Sequence, residues 1–272
     1  MSALVFLGGG RITAALVAGL RRTGYRGAVI VHDRHARKLR RLENEFGITG
    51  EADLMSAVRA ARTLVIAVRP AAVDKLLRQI GNEIKLGRIR KEPFVSVSLA
   101  AGVTLAALRT ALGSRTHWAR AMPSPVCRTG HGLTALAFDR GMPRGKQKEI
   151  RRLFARLGDV LVIPEKQFDV FTATYSSSHG YHALAELAGA AEKLGLPRKI
   201  ALAAGAHALA DGIASWRAQP KSLGALIEEA ATPGGTAAAT IAAMDAHGYG
   251  RAILRGLRAG VARAGTRKKV RT

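Results

Sequence analysis

A-L-V-F-L-G-G-G-R-I-T-A-A-L, residues 3–16, is the stretch on which the fold turns. Five apolar residues read as a buried strand. Three glycines follow at once, and helix-forming residues begin within three positions. Gly8, Gly10 and Thr13 fall on the G-x-G-x-x-G/A spacing of a dinucleotide site. The first glycine allows a tight turn, the second lets backbone approach a pyrophosphate, and a small third residue lets helix and strand pack closely. Thr13 is larger than the usual Gly or Ala. Backbone N–H groups at the helix start, on Arg11, Ile12 and Thr13, would face the anion.

A second apolar run, residues 28–31, ends where such a unit meets the adenosine ribose, and H-D-R-H-A-R-K follows at 32–38. Asp33 would hold a ribose 2′-hydroxyl, whereas Arg34, Arg37 and Lys38 would bind a 2′-phosphate. Three cations beside one carboxylate favour NADP (as NADPH) over NAD. For Arg37 and Lys38, the solvated first turn of a helix is an equal alternative.

Charge is the unusual global property. The chain of 272 residues carries a net charge of +24, of which residues 1–163 hold +18 and residues 164–272 hold +6. A solvated basic surface accounts for most of this, with nucleic-acid association limited to non-specific attraction. No recognition helix or aromatic stacking motif accompanies the charge. The single cysteine, Cys127, excludes an intrachain disulfide and suits a reducing, cytoplasmic setting. No apolar run approaches the ~18 residues that span a bilayer, and no signal peptide is evident. No His/Cys/Asp/Glu cluster has metal-ligand spacing, so no metal is expected.

Residues 1–163 alternate strand and helix patterns. Apolar strands are predicted at 4–7, 28–31, 64–68, 94–98, 116–120, 134–138 and 160–163, and helices at 12–22, 36–46 and 72–84, among others. This is the pattern of an α/β Rossmann-type doubly wound sheet. Strand signals stop after residue 167. Ala/Leu-rich helical stretches follow at 168–194, 197–216, 222–229, 236–247 and 248–264, with Pro197 and Pro233 suited to first turns. The expected domains are a dinucleotide-binding domain (1–163), an all-α dimerisation and substrate domain (164–264) and a basic, disordered tail (265–272). Residues 201–214 are apolar almost all round, which a ~100-residue helical domain cannot hide alone; a homodimer through this half is the expected solution.

The motif order resembles the pyrroline-5-carboxylate reductase family over nearly the whole chain. The elements are F-L-G-G-G-R-I-T-A-A (6–15), A-V-R-P (67–70), S-L-A-A-G-V-T (98–104), R-A-M-P-S-P (120–125), D-V-F-T-A (169–173) and A-T-P-G-G-T (231–236). The resemblance implies an N-terminal Rossmann domain, a helical dimerisation domain and reduction of a cyclic imine to proline with NAD(P)H. Val68, Arg69 and Pro70 end a strand at the ligand-binding edge of the sheet; the family usually has Lys at the position of Arg69. Ala101, Met122 and Pro123 would flank the nicotinamide. Gly234 and Gly235 would receive the substrate carboxylate at a helix start, with Ser124, Ser177, Ser178, Tyr181 and Ala237 as further substrate contacts.

Three departures fall beside the expected substrate. The resemblance implies a Thr closing the motif P-G-G-T/A-T and hydrogen-bonding the imine nitrogen; that position is Ala237 here. Thr236 stands one residue earlier, about 100° around the helix. The family's S-G-S-G-P-A-Y reads Y-S-S-S-H-G-Y at 175–181, bringing in Tyr175 and His179. The Asn of M-P-N-T-P is Ser124. His179 and Thr236 are therefore the candidates for supplying the proton that accompanies hydride transfer, His being the residue type that titrates near neutral pH. The reading is a reductase of a cyclic imine with an altered substrate site, acting on an imine or keto acid. The alternatives are an NADP-dependent oxidoreductase for another imine or carbonyl acid, and a non-catalytic cofactor-binding paralogue.

Overall fold

The structure, a computed structural model, describes residues 3–89, 94–113 and 116–265. Of the tail expected at 265–272, Gly265 ends the last helix and the residues from 266 lie outside the described residues. The first half alternates strictly. β1 (Ala3–Leu7) leads to α1 (Arg11–Arg22), β2 (Val29–His32) to α2 (Ala36–Phe46), and β3 (Thr49–Glu51) to α3 (Leu54–Ala60). β4 (Ala61–Ile66) precedes α4 (Pro70–Lys85), and β5 (Phe94–Ser98) precedes α5 (Leu105–Leu112). Then come β6 (Thr116–Met122), a 3-10 turn at Pro125–Thr129, β7 (Gly132–Phe138), α6 (Arg144–Ala155) and β8 (Gly158–Val162).

These strands form one eight-stranded sheet in the order β3-β2-β1-β4-β5-β6-β7-β8. Every neighbouring pair is parallel except β6 and β7. Two apolar layers cover the two faces. Val5, Leu7, Leu64, Ile66 and Trp118 meet α4 and α5 on one side, while Leu4, Phe6, Val65, Val97 and Ala119 meet α1 and α6 on the other. Strands buried on both faces are continuously apolar, which is why they are legible as runs rather than as alternation.

The sequence-based boundaries shift in places. The strand expected at 64–68 ends at Ile66, because Ala67 and Val68 already turn toward α4. β3, T-G-E, carries no apolar signal; it pairs β2 through Ile30–Thr49 to His32–Glu51 and is a strand by that pairing alone.

The remaining helices are α7 (Phe168–Thr174), α8 (Ser177–Lys193), α9 (Arg198–Ala218), α10 (Leu223–Ala230), α11 (Thr236–Ala246) and α12 (Tyr249–Gly265). The stretch expected as one helix at 168–194 is two. Ser176 caps α8 by accepting the Ser178 N–H at 3.4 Å, and the Tyr175 hydroxyl accepts the Leu133 N–H of β7 at 2.7 Å. Pro197 is the N-cap of α9. Pro233 does not open a helix; it sits in the turn before α11, where Gly234 has φ +76° and Gly235 is the N-cap.

The chain divides into two compact units. Residues through Tyr175, with those from Gly260, form the first, and Ser176–Ala259 the second. The division falls after α7 because Phe168 is fully buried in the core beneath the sheet. In the second unit α8 and α9 pack closely at Gly205, where a Cβ would stand 3.1 Å from Leu184. Of α9's 21 residues only Ala201 and Gly205 are buried. Ile213, Trp216, Ile227, Ile253 and Leu254 are exposed.

Candidate active site

β1, β2, β4, β5 and β6 run parallel, so the loops that follow them gather at one edge of the sheet. The strand order reverses between β1 and β4, the crevice where open α/β sheets bind ligands. The Gly-rich turn stands there. Gly8 has φ +114°, and a Cβ on it would lie 2.9 Å from the Ala67 carbonyl oxygen, so only glycine fits. Gly10 caps α1, and a Cβ there would meet nothing within 4 Å. The first intrahelical bond is from the Ala14 N–H to the Gly10 carbonyl at 3.0 Å, which leaves the N–H groups of Arg11, Ile12 and Thr13 ahead of the ladder. N–H groups outside the ladder at the positive end of a helix dipole, beside a glycine with room around it, suit a pyrophosphate. The residues present therefore fit a dinucleotide.

The size of Thr13 now has a reason. Its side chain is fully buried, and its hydroxyl donates to the Gly8 carbonyl at 2.5 Å. Thr13 holds the turn from beneath.

Asp33, 24 residues beyond Gly9, is tied to that turn. Its Oδ2 accepts the Gly9 N–H at 3.0 Å and Lys38 Nζ at 3.2 Å. Its Oδ1 accepts the His35 N–H at 2.9 Å and faces His35 Nδ1 at 2.7 Å. Burial alone would raise its pKa. The bonds from the His35 side chain and backbone, from Gly9 and from Lys38 outweigh burial and hold it at about 2. Both oxygens are thus taken by the protein's own donors. Asp33 braces the turn, and Lys38 is engaged in the same pairing. Arg34 and Arg37 remain exposed beside it. Sequence spacing pointed to Asp33 but missed Gly9 and His35 as its partners.

Three further loops complete the edge. Arg69 is the exposed N-cap of α4 and Pro70 its first residue, following the half-buried Val68. After β5, Ala101 is half-buried and Gly102 has φ +75°. After β6, Met122 and Pro123 are half-buried, while Ser124 is buried and caps the 3-10 turn by accepting the Val126 N–H at 3.5 Å. Burial pushes the Cys127 thiol up to about 12, so it is not a nucleophile at neutral pH.

The second unit carries the other expected residues. Ser177, Ser178 and His179 form the first turn of α8, with Tyr181 exposed on the next. At α11, the first ladder bond runs from the Ala239 N–H to the Gly235 carbonyl at 3.1 Å. The N–H groups of Thr236, Ala237 and Ala238 precede it. Glycines at 234 and 235 before an open helix start suit a carboxylate. Thr236 and Ala237 are both exposed there.

A family model described as pyrroline-5-carboxylate reductase dimerisation matches residues 165–267, and one described as NADP oxidoreductase coenzyme F420-dependent matches residues 3–90. Pyrroline-5-carboxylate reductase from Mycobacterium tuberculosis is 30% identical over 275 residues, covering 93% of this chain and 92% of the relative. The Thermus thermophilus protein of the same name is 32% identical over 253 residues, covering 89% and 90%. In fold, the chain is similar to Plasmodium falciparum pyrroline carboxylate reductase with NADP bound (TM-score 0.86, 17% identity, 98% of each chain). A reductive aminase from Aspergillus terreus is more distant (TM-score 0.60, 14% identity, 96% of this chain and 88% of that one). With identity of this level sustained across nine-tenths of both sequences, the chain belongs to the pyrroline-5-carboxylate reductase family.

Proposed function

We propose that this chain reduces the C=N bond of 1-pyrroline-5-carboxylate to give proline, with NADPH as reductant. The observation that carries the reading is the near-full-length match to named reductases, with the motifs at 6–15, 67–70, 98–104 and 120–125 falling on one edge of the sheet. When bound, NADPH supplies a hydride to the imine carbon. The protein's part is to bind, orient and protonate.

The Gly8–Thr13 turn holds the pyrophosphate through open N–H groups, and Arg34 takes the 2′-phosphate. Val68, Arg69, Pro70, Ala101, Met122 and Pro123 line the approach to the nicotinamide. In the second unit, Gly234 and Gly235 take the substrate carboxylate, with Ser177, Ser178, Tyr181 and Ala237 as its further contacts. Ala237 has no hydroxyl, so the proton that joins the imine nitrogen comes from His179 or through Thr236.

The first domain (1–163) thus carries the cofactor and the helical domain (164–264) the substrate. The exposed apolar residues of α9, α10 and α12 pair with a second copy to make a homodimer. No helix among the described residues is long and apolar enough to cross a membrane. A lone buried cysteine and a nicotinamide cofactor fit the cytoplasm.

The test is NADPH oxidation by the purified protein with 1-pyrroline-5-carboxylate, beside other cyclic imines and keto acids. Turnover greatest with 1-pyrroline-5-carboxylate supports the reading. Turnover confined to another substrate overturns it.

A further inference from the structure

Arg120 is a cation 2% exposed, on the last residue pair between β5 and β6, opposite Ser98. Its Nη1 lies 3.1 Å from Glu165 Oε1, and its Nη2 4.0 Å from Asp169 Oδ1. The Phe168 ring stacks on the guanidinium at 4.5 Å. Among the described residues, Nε and Nη2 have no hydrogen-bond partner. Glu165 Oε1 also accepts the N–H of Leu105, the first residue of α5, at 2.6 Å.

Such an arrangement is not explained by stability. Taking a guanidinium and two carboxylates out of water is costly, and apolar residues of similar volume are often as stable. What the cation does is connect. Two residues beyond it β6 ends at Met122, and Pro123 follows. Through Glu165 it grips the start of α5, which closes the loop holding Ala101 and Gly102. Through Phe168 and Asp169 it holds α7 against the same sheet. Three separate segments are thus referred to one planar, five-donor group, which a point-like ammonium could not replace.

We propose that Arg120 is a positioning residue that sets the spacing between the loop at Ala101–Gly102 and the strand end at Met122–Pro123, and so the slot for the nicotinamide ring. This rests on the cofactor reading given above. Misplacement by about 1 Å at a reacting centre costs on the order of 10²-fold in rate, so the device acts on kcat more than on overall cofactor capture.

The test compares the affinity of Arg120→Lys for NADPH and for 2′,5′-ADP, which shares only the adenosine end, by isothermal titration, with thermal unfolding and steady-state kinetics alongside. The expected result is NADPH binding weakened about tenfold, 2′,5′-ADP binding held within about twofold, and kcat falling by more than KM rises. Glu165→Gln keeps an acceptor for the Leu105 N–H but removes the charge pairing. It is expected to show the same selective pattern at smaller amplitude, and decides the matter if Arg120→Lys does not fold. Equal weakening of both ligands in step with lowered thermal stability, or no change in either ligand, overturns the proposal. Wild-type protein that binds NADPH no more tightly than 2′,5′-ADP overturns the nicotinamide reading itself, and the proposal with it.

Discussion

Replacing Asp33 by Asn tests whether this carboxylate braces the Gly-rich turn or holds a ribose. Asp33 accepts four contacts on two oxygens, from Gly9, from His35 twice and from Lys38. Asn has one acceptor oxygen, so one side of the group must present N–H to N–H. Hydrogen bonds to a charged group are each worth about 1.5–3 kcal/mol, and a buried donor left unpaired costs about 1–3 kcal/mol. The carboxylate's depression from 3.8 to about 2 corresponds to about 2 kcal/mol at most, reduced toward 1 by screening at the loop surface. Taken together, Asp33→Asn should lose about 2 kcal/mol, or about 4–8 °C in thermal midpoint for a chain of this size.

The pH dependence follows from the sign of the shift. A carboxyl whose folded pKa lies below its unfolded one contributes fully above the unfolded value, 3.8, and loses that contribution as pH falls through about 2. The stability gap between wild type and Asp33→Asn should therefore be constant from pH 7 to about 5 and close between about 4 and 2. Differential scanning fluorimetry across that range reads it. Binding of NADPH and NADH should weaken together, because the turn that serves both is disturbed. An unchanged midpoint with loss of NADH binding alone would refute the bracing role and restore the ribose one.

Arg34→Glu should weaken NADPH about 10–100-fold relative to NADH, since a charge-assisted phosphate contact is worth about 1.5–3 kcal/mol; equal effects on the two cofactors in titration calorimetry would refute it. His179→Ala should lower turnover about 10²-fold or more, with KM for the imine little changed. A loss under about threefold in stopped-flow assays would leave Thr236 as the route of the proton.

Much of the fold is readable because β1, β4 and β5 are buried on both faces and their residues need no periodicity to be recognised. The Gly8–Gly10 turn is readable because the backbone at Gly8 demands glycine and an open helix start follows within two residues. β3 was not, since its strand character comes from pairing to β2. The break at Tyr175 was not, because it depends on a hydroxyl reaching Leu133, 42 positions away. The same limit applies to the site. Spacing picks out Asp33, yet only the fold reveals that it accepts the Gly9 N–H. Arg120 and Glu165 lie 45 positions apart, and no local pattern links a strand cation to an acid beyond the sheet. The departures at 175–181 and at Ala237 were legible as letters, whereas their consequence for proton delivery belongs to experiment.

The central claim is hydride delivery to an imine carbon in a five-membered ring. The direct measurement is label transfer from NADPH carrying deuterium at both nicotinamide C4 positions during single-turnover reaction with 1-pyrroline-5-carboxylate, followed by NMR of the product. Proline should carry one deuterium at the ring carbon remote from the carboxylate, in equal amount to the NADPH consumed. Cofactor bound but not oxidised, or deuterium absent from that carbon, would contradict it.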